Sequence, residues 1–149
     1  MSAAGVPAGW KGRAAVLAAA LWFGSLAAVG FMVVPLLFAH LPSPALAGQV
    51  AARLFTAQAW LSLGCGLVLV LAARFAQETP ALDWGRGALA FVTGGVLLAL
   101  LGEFAVAPRI VARQNLALWH TLGSGFFLLQ WLCAGVVLWK LTAQPSART

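Results

Sequence analysis

The residues of this 149-residue chain that could do chemistry are interruptions in long apolar runs. Glu103 is the one acid expected inside such a run. It sits five residues before Pro108, about 7–8 Å along a helix. A carboxylate held in an apolar run either takes a proton or finds a cation. Arg53 and His120 stand near the same end of neighbouring runs and are the available partners. The chemistry then divides into two readings: an ion pair that locks helices together, or a ligand, proton or metal site. Polar residues within membrane helices are costly and therefore informative, and here they are unevenly placed. Arg53, Gln58, Glu103, Arg109, Arg113, Asn115, His120, Thr121 and Ser124 all fall in or beside one half of the runs, with His40 in the first loop. The opposite halves are nearly all apolar, apart from Thr93 and Gln130.

His120 and Ser124 stand at i and i+4, on one helical face, and Gly123 leaves room beside them. A histidine within a span makes an interhelical hydrogen bond or binds haem or a metal ion. His40 and His120 are the candidate metal ligands, with haem or copper as the cofactors in question. No H-x-x-x-H pair, C-x-x-C-H motif or cysteine cluster accompanies them. Cys65 and Cys133 lie deep in apolar runs, where a free thiol behaves as a small hydrophobe. Hydrolase motifs are absent, and glycine doublets such as Gly94-Gly95 fall inside apolar runs, which excludes them as phosphate loops. Nine Lys and Arg against three Asp and Glu give a net charge of +6. The basic residues mark the ends of apolar runs and form no cluster, so the excess fits membrane topology and anionic headgroups rather than nucleic acid.

The elements that must carry these residues are membrane helices. Hydrophobic residues make up 62% of the chain and charged residues 8%, with a mean hydropathy of +0.95; an average soluble domain is about a quarter charged. That balance excludes a soluble enzyme, a disordered regulator and a disulfide scaffold. A helix needs roughly 20 apolar residues to cross a bilayer core, and four stretches qualify, at about 14–38, 49–73, 87–107 and 116–141. They form one domain over 1–149, an all-α polytopic bundle. Ser43 before Pro44 reads as an N-cap followed by proline at the first helical position. Turns are expected at 77–80 and 108–115. An even number of spans puts both termini on one side. That side holds Lys11, Arg13, Arg74, Arg86, Lys140 and Arg148, against Arg53, Arg109 and Arg113 on the other, which favours cytoplasmic termini in a bacterial inner membrane. Trp10, Trp84 and Trp139 mark one interface and Trp119 the other. Ala45-Leu46-Ala47 resembles a signal-peptidase site, but the first apolar run is too long for a signal core of about 7–15 residues, so an uncleaved first span is expected.

A weak internal repeat runs through the pattern. The first span ends in Phe31-x-Val33-x-Pro35 and the third in Phe104-x-Val106-x-Pro108; Leu54-Phe55-Thr56 and Leu118-Trp119-His120 then open the second and fourth. The chain reads as two helical hairpins in tandem, related by an axis along the membrane normal. Each proline removes a backbone bond and frees the carbonyl four residues earlier, on Phe31 and Phe104. It either kinks or ends its helix, or turns that carbonyl to a polar cavity. Gly24-Ser25, Gly64-Cys65-Gly66, Gly94-Gly95 and Gly123-Ser124-Gly125 predict close helix packing without a wide pore.

Leu21-Trp22-Phe23-Gly24 through Val34-Pro35-Leu36-Leu37-Phe38, then Ala47-Gly48, Arg53-Leu54-Phe55 and Trp119-His120-Thr121-Leu122-Gly123-Ser124, resemble a bacterial membrane domain of unknown function related to human transmembrane protein 205. The resemblance covers essentially the whole chain and implies a small four-helix membrane protein with no established enzymatic activity. More distantly it is similar to copper-resistance D membrane proteins and a haem-dependent protoporphyrinogen oxidase group, which makes copper or haem handling an expectation to test. The resemblance places a small polar residue at i+3 from the histidine, where this chain has Gly123; Ser124 falls at i+4. The leading expectation is a non-enzymatic membrane protein with a polar cluster of Arg53, Glu103, Arg109, His120 and Ser124 at its outer face. That cluster would bind a small ligand, a lipid headgroup or a membrane-protein partner. A haem or copper protein and a small homo-oligomeric transporter are the rivals.

Overall fold

The structure, a computed structural model, describes residues 10–76 and 85–143. The turn expected at 77–80 and Trp84 lie outside the described residues. All regular structure among those described is helical. Helix α1 (Trp10–Ala27) passes through a π-helical turn (Ala28–Val33) into α2 (Val34–His40). Helix α3 (Pro44–Ala76) returns, and α4 (Gly85–Leu101) runs through a second π turn (Gly102–Val106) into α5 (Ala107–Val111). Helix α6 (Leu116–Thr142) completes the set.

These elements make four membrane spans, Gly12–His40, Pro44–Arg74, Gly87–Val111 and Leu116–Thr142. Lengths of 25 to 31 residues correspond to about 38–47 Å of helix against a hydrocarbon core of about 30 Å. The spans therefore outrun the core, and the first three overrun the limits expected from hydropathy. The reason differs by position. Pro35 and Pro108 do not end their helices; the π turn absorbs each of them. The second span starts at Pro44 because Ser43 caps it: the Leu46 amide donates to Ser43 Oγ at 3.2 Å and the Ala47 amide to the Ser43 carbonyl at 3.1 Å. Leu41, between His40 and Pro42, is extended (φ −79°, ψ 148°), as a residue preceding proline prefers.

The four spans form a closed ring in which α3 packs on α1 and α4, and α6 packs on α4 and α1. Trp22, Leu26, Leu69, Val92 and Val137 fill the centre with Ala15, Ala19 and Ala134. Trp22 reaches across the ring: a Cβ on Gly95 would stand 2.7 Å from its Cη2. One glycine of each expected pair serves this packing. Gly66 faces Val96, Gly95 faces Trp22, and Gly123 faces Val106, whereas Gly64, Gly94 and Gly125 have open space around them. Gly24 is open as well.

The two hairpins repeat in burial as well as in sequence. Ala15, Ala19, Trp22 and Leu26 of the first span are buried, and so are Ala88, Val92, Gly95 and Ala99, each 73 positions later. Both π turns close with the same bond, Val34 N–H to the Val29 carbonyl and Ala107 N–H to the Gly102 carbonyl, again 73 positions apart. In the returning spans the buried set Gln58, Ser62 and Cys65 corresponds to Gln130, Ala134 and Val137, at a spacing of 72. This differs from the sequence pairing of Leu54-Phe55-Thr56 with Leu118-Trp119-His120. Those triplets match in residue type, but the buried face of the fourth span is registered on Gln130.

Candidate functional site

Glu103 lies in the π turn of the third span, half-buried. Its carboxylate faces the second span, where Thr56 Oγ1 lies 2.9 Å from Oε1 and 3.1 Å from Oε2 and donates to them. The π turn is what sets this aim. It inserts extra backbone between α4 and α5, so Glu103 is turned relative to the face a continuous α-helix would give it. Among the described residues no Lys, Arg or His nitrogen comes within 4.0 Å of the Glu103 oxygens. A threonine hydroxyl thus stands where Arg53 or His120 was expected.

Arg53 is one turn from Thr56 towards the Leu41–Ser43 loop, near the Thr56 face of α3, and is exposed. Arg109 is also exposed and is held elsewhere. Its Nη1 donates to the Ala105 carbonyl at 2.6 Å, and its guanidinium stacks over the Trp119 ring at 4.5 Å. This cation–π contact ties the end of the third span to the start of the fourth. His120 follows Trp119 and is exposed, as is Ser124 one turn further on. His40 is exposed, with Nδ1 3.1 Å from the Leu36 carbonyl of its own helix. Among the described residues no group of three or more His, Cys, Asp or Glu is placed to hold a metal ion. Arg113 and Asn115 flank the short loop into α6 with positive φ (54° and 35°).

A second polar group lies deeper, at mid-span, and sequence reasoning found only parts of it. Gln58 Nε2 donates to Ser25 Oγ at 3.0 Å and to Ser62 Oγ at 3.5 Å, and Gln130 Nε2 donates to Ser62 Oγ at 2.8 Å. Ser62 Oγ donates in turn to the Gln58 carbonyl at 2.8 Å, and Ser25 Oγ to the Trp22 carbonyl at 3.0 Å. Three spans are joined: Gln58 ties the second to Ser25 of the first, and the fully buried Ser62 hydroxyl ties the second to Gln130 of the fourth. By sequence Gln58 groups with the outer polar residues and Gln130 with Thr93 in the opposite halves, and Ser25 reads as a small packing residue. The available signal was the i, i+4 pair of Gln58 and Ser62 on an otherwise apolar face. Close by, the Nε1 atoms of Trp22 and Trp131 are buried without a hydrogen-bond partner.

Four long apolar helices closed into a ring, with a polar knot at mid-span and a carboxylate set in a π turn, define an integral, multi-pass membrane protein of the four-helix bundle class. More particularly, the chain belongs to the family described as a domain of unknown function, DUF4149, which matches residues 17–118. The matched stretch includes Arg53, Thr56, Glu103 and Arg109 and stops short of His120 and Gln130. The match by itself shows neither a link to transmembrane protein 205 nor one to copper-resistance D proteins. No curated protein and no solved structure matches the chain.

Proposed function

We propose that this is a non-enzymatic binding protein of the bacterial inner membrane, and that its site is the half-buried carboxylate of Glu103. The observation that carries this reading is the bonding of that carboxylate: one neutral hydroxyl, and no cation among the described residues. Carboxylates inside spans pair with a cation or mark a ligand or ion path. Here Thr56 fixes the orientation and leaves the charge to be met by the ligand. The ligand chemistry that fits is an amphiphile with a cationic, hydrogen-bond-donating head, its apolar part lying among the lipid-facing side chains. Arg53 stands at the rim and disfavours a cation, so it tunes affinity downward. The six-to-three distribution of basic residues supports termini in the cytoplasm; with that topology the Glu103 end would lie in the outer leaflet.

The test is saturable binding of octylammonium to the purified full chain in a nonionic detergent. A charged hydrogen bond contributes about 1.5–3 kcal/mol, and each 1.4 kcal/mol is about tenfold in affinity. Glu103→Gln, which keeps an acceptor for Thr56, is expected to weaken binding by about tenfold or more without lowering the unfolding temperature. Arg53→Ala is expected to tighten it. Equal binding by wild type and Glu103→Gln, or no binding by wild type, would overturn the reading.

A further inference from the structure

A groove of about 600 Å³ opens at the other end of the bundle, on the face of the fourth span that meets the first and third. Trp131, Leu132, Gly135, Val136, Trp139, Lys140 and Ala143 form its floor, with Phe23 from the first span and Gly87 from the third at its sides. The floor runs about 18 Å along α6, against about 15 Å for half of a hydrocarbon core. Its deep end is aromatic: the Phe23 and Trp131 rings stack at 5.3 Å, and Phe31 meets Trp131 edge-on at 5.1 Å. Its shallow end is polar. Trp139 is 74% exposed there, as an interfacial tryptophan is. The Lys140 Nζ hangs 3.3 Å from where a Cβ on Gly87 would stand. Gly87 is the third residue of α4, whose first turn holds no acid, so the free N–H groups of that helix start add to the positive field.

We infer that this groove is a binding site for an anionic phospholipid of the leaflet next to the termini, with one acyl chain along α6 and the phosphate on Lys140. The occupant follows from the match of length, from the apolar floor, and from charge: among the described residues the one ionisable residue of the lining is a cation, and the chain as a whole is +6. Phosphate is the headgroup element a lysine ammonium meets. The site lies at the opposite end of the bundle from Glu103 and is independent of it.

Native mass spectrometry of the full chain, released from detergent with equal phosphatidylglycerol and phosphatidylcholine, tests this. Wild type is expected to retain phosphatidylglycerol several-fold over phosphatidylcholine. Lys140→Ala should abolish that preference, and Lys140→Arg should restore it. Leu132→Trp, at an exposed lining position, should fill the groove and lower phosphatidylglycerol retention several-fold. The inference is overturned if wild type shows no preference, if Lys140→Ala keeps it, or if Leu132→Trp retains phosphatidylglycerol as wild type does.

Discussion

Two side chains settle most of the polar structure inside this bundle, and they differ in how visible they were. Glu103 was conspicuous as the acid in an apolar run. Its partner was not, because Arg53 and His120 are the basic residue types expected at that depth and Thr56 offers only a hydroxyl in a long apolar helix. Charge ranks candidates by type, whereas the fold ranks them by position, and Arg53 lies a full turn from Thr56 along the helix. Ser62 was invisible for a related reason: a buried serine in a span reads as a small residue. It nonetheless joins Gln58 and Gln130 and returns a bond to the Gln58 carbonyl. Interhelical hydrogen bonds in membranes contribute about 1 kcal/mol, and removing this hydroxyl leaves the buried Gln130 amide without its acceptor, while Gln58 keeps Ser25 Oγ. Ser62→Ala is therefore expected to destabilise the bundle by about 1–2 kcal/mol in equilibrium unfolding, with Ser62→Thr costing less. If Ser62→Ala unfolds like wild type, the knot at mid-span holds nothing together.

At the scale of elements, the two π turns explain why the proline-containing motifs do not end their spans. Proline has no N–H to give, and in each motif the residue before it bonds five residues back instead of four. The repeat F-x-V-x-P was legible as sequence, while its consequence was not. Hydropathy marks where helix is affordable in lipid and is silent about the number of residues per turn. The structural consequence is specific to the second hairpin, where the turn carries an acid; the first carries Gly30 at the corresponding place, packed against Phe127. Replacing Pro108 by Ala restores the missing donor and lets the turn relax to α-helix, which rotates Glu103 away from Thr56. A double-mutant cycle measures this. Thr56→Val is expected to cost about 1 kcal/mol in wild type and close to nothing in the Pro108→Ala background. An equal cost in both backgrounds would show that the π turn does not aim Glu103.

For the whole molecule, the tandem hairpins give a ring whose centre is closed by Trp22 rather than left as a channel. The number of spans, their order and the close packing at glycine were legible in the sequence. The choice between neighbouring glycines was not, because Gly94 and Gly95 differ only in the face each presents. Gly95→Ala is expected to destabilise by about 1–3 kcal/mol through the collision with Trp22. Gly94→Ala, with nothing within 4 Å, should leave the unfolding temperature unchanged or raise it. The ring leaves two places where chemistry departs from packing, the carboxylate at one end and the cationic groove at the other, and the central claim concerns the carboxylate. An infrared difference spectrum of the purified full chain, recorded on adding octylammonium, tests that claim most directly. The account predicts a shift in a carboxylate stretching band in wild type that is absent in Glu103→Gln. A saturated wild-type complex with no carboxylate change, or the same change in Glu103→Gln, would contradict it.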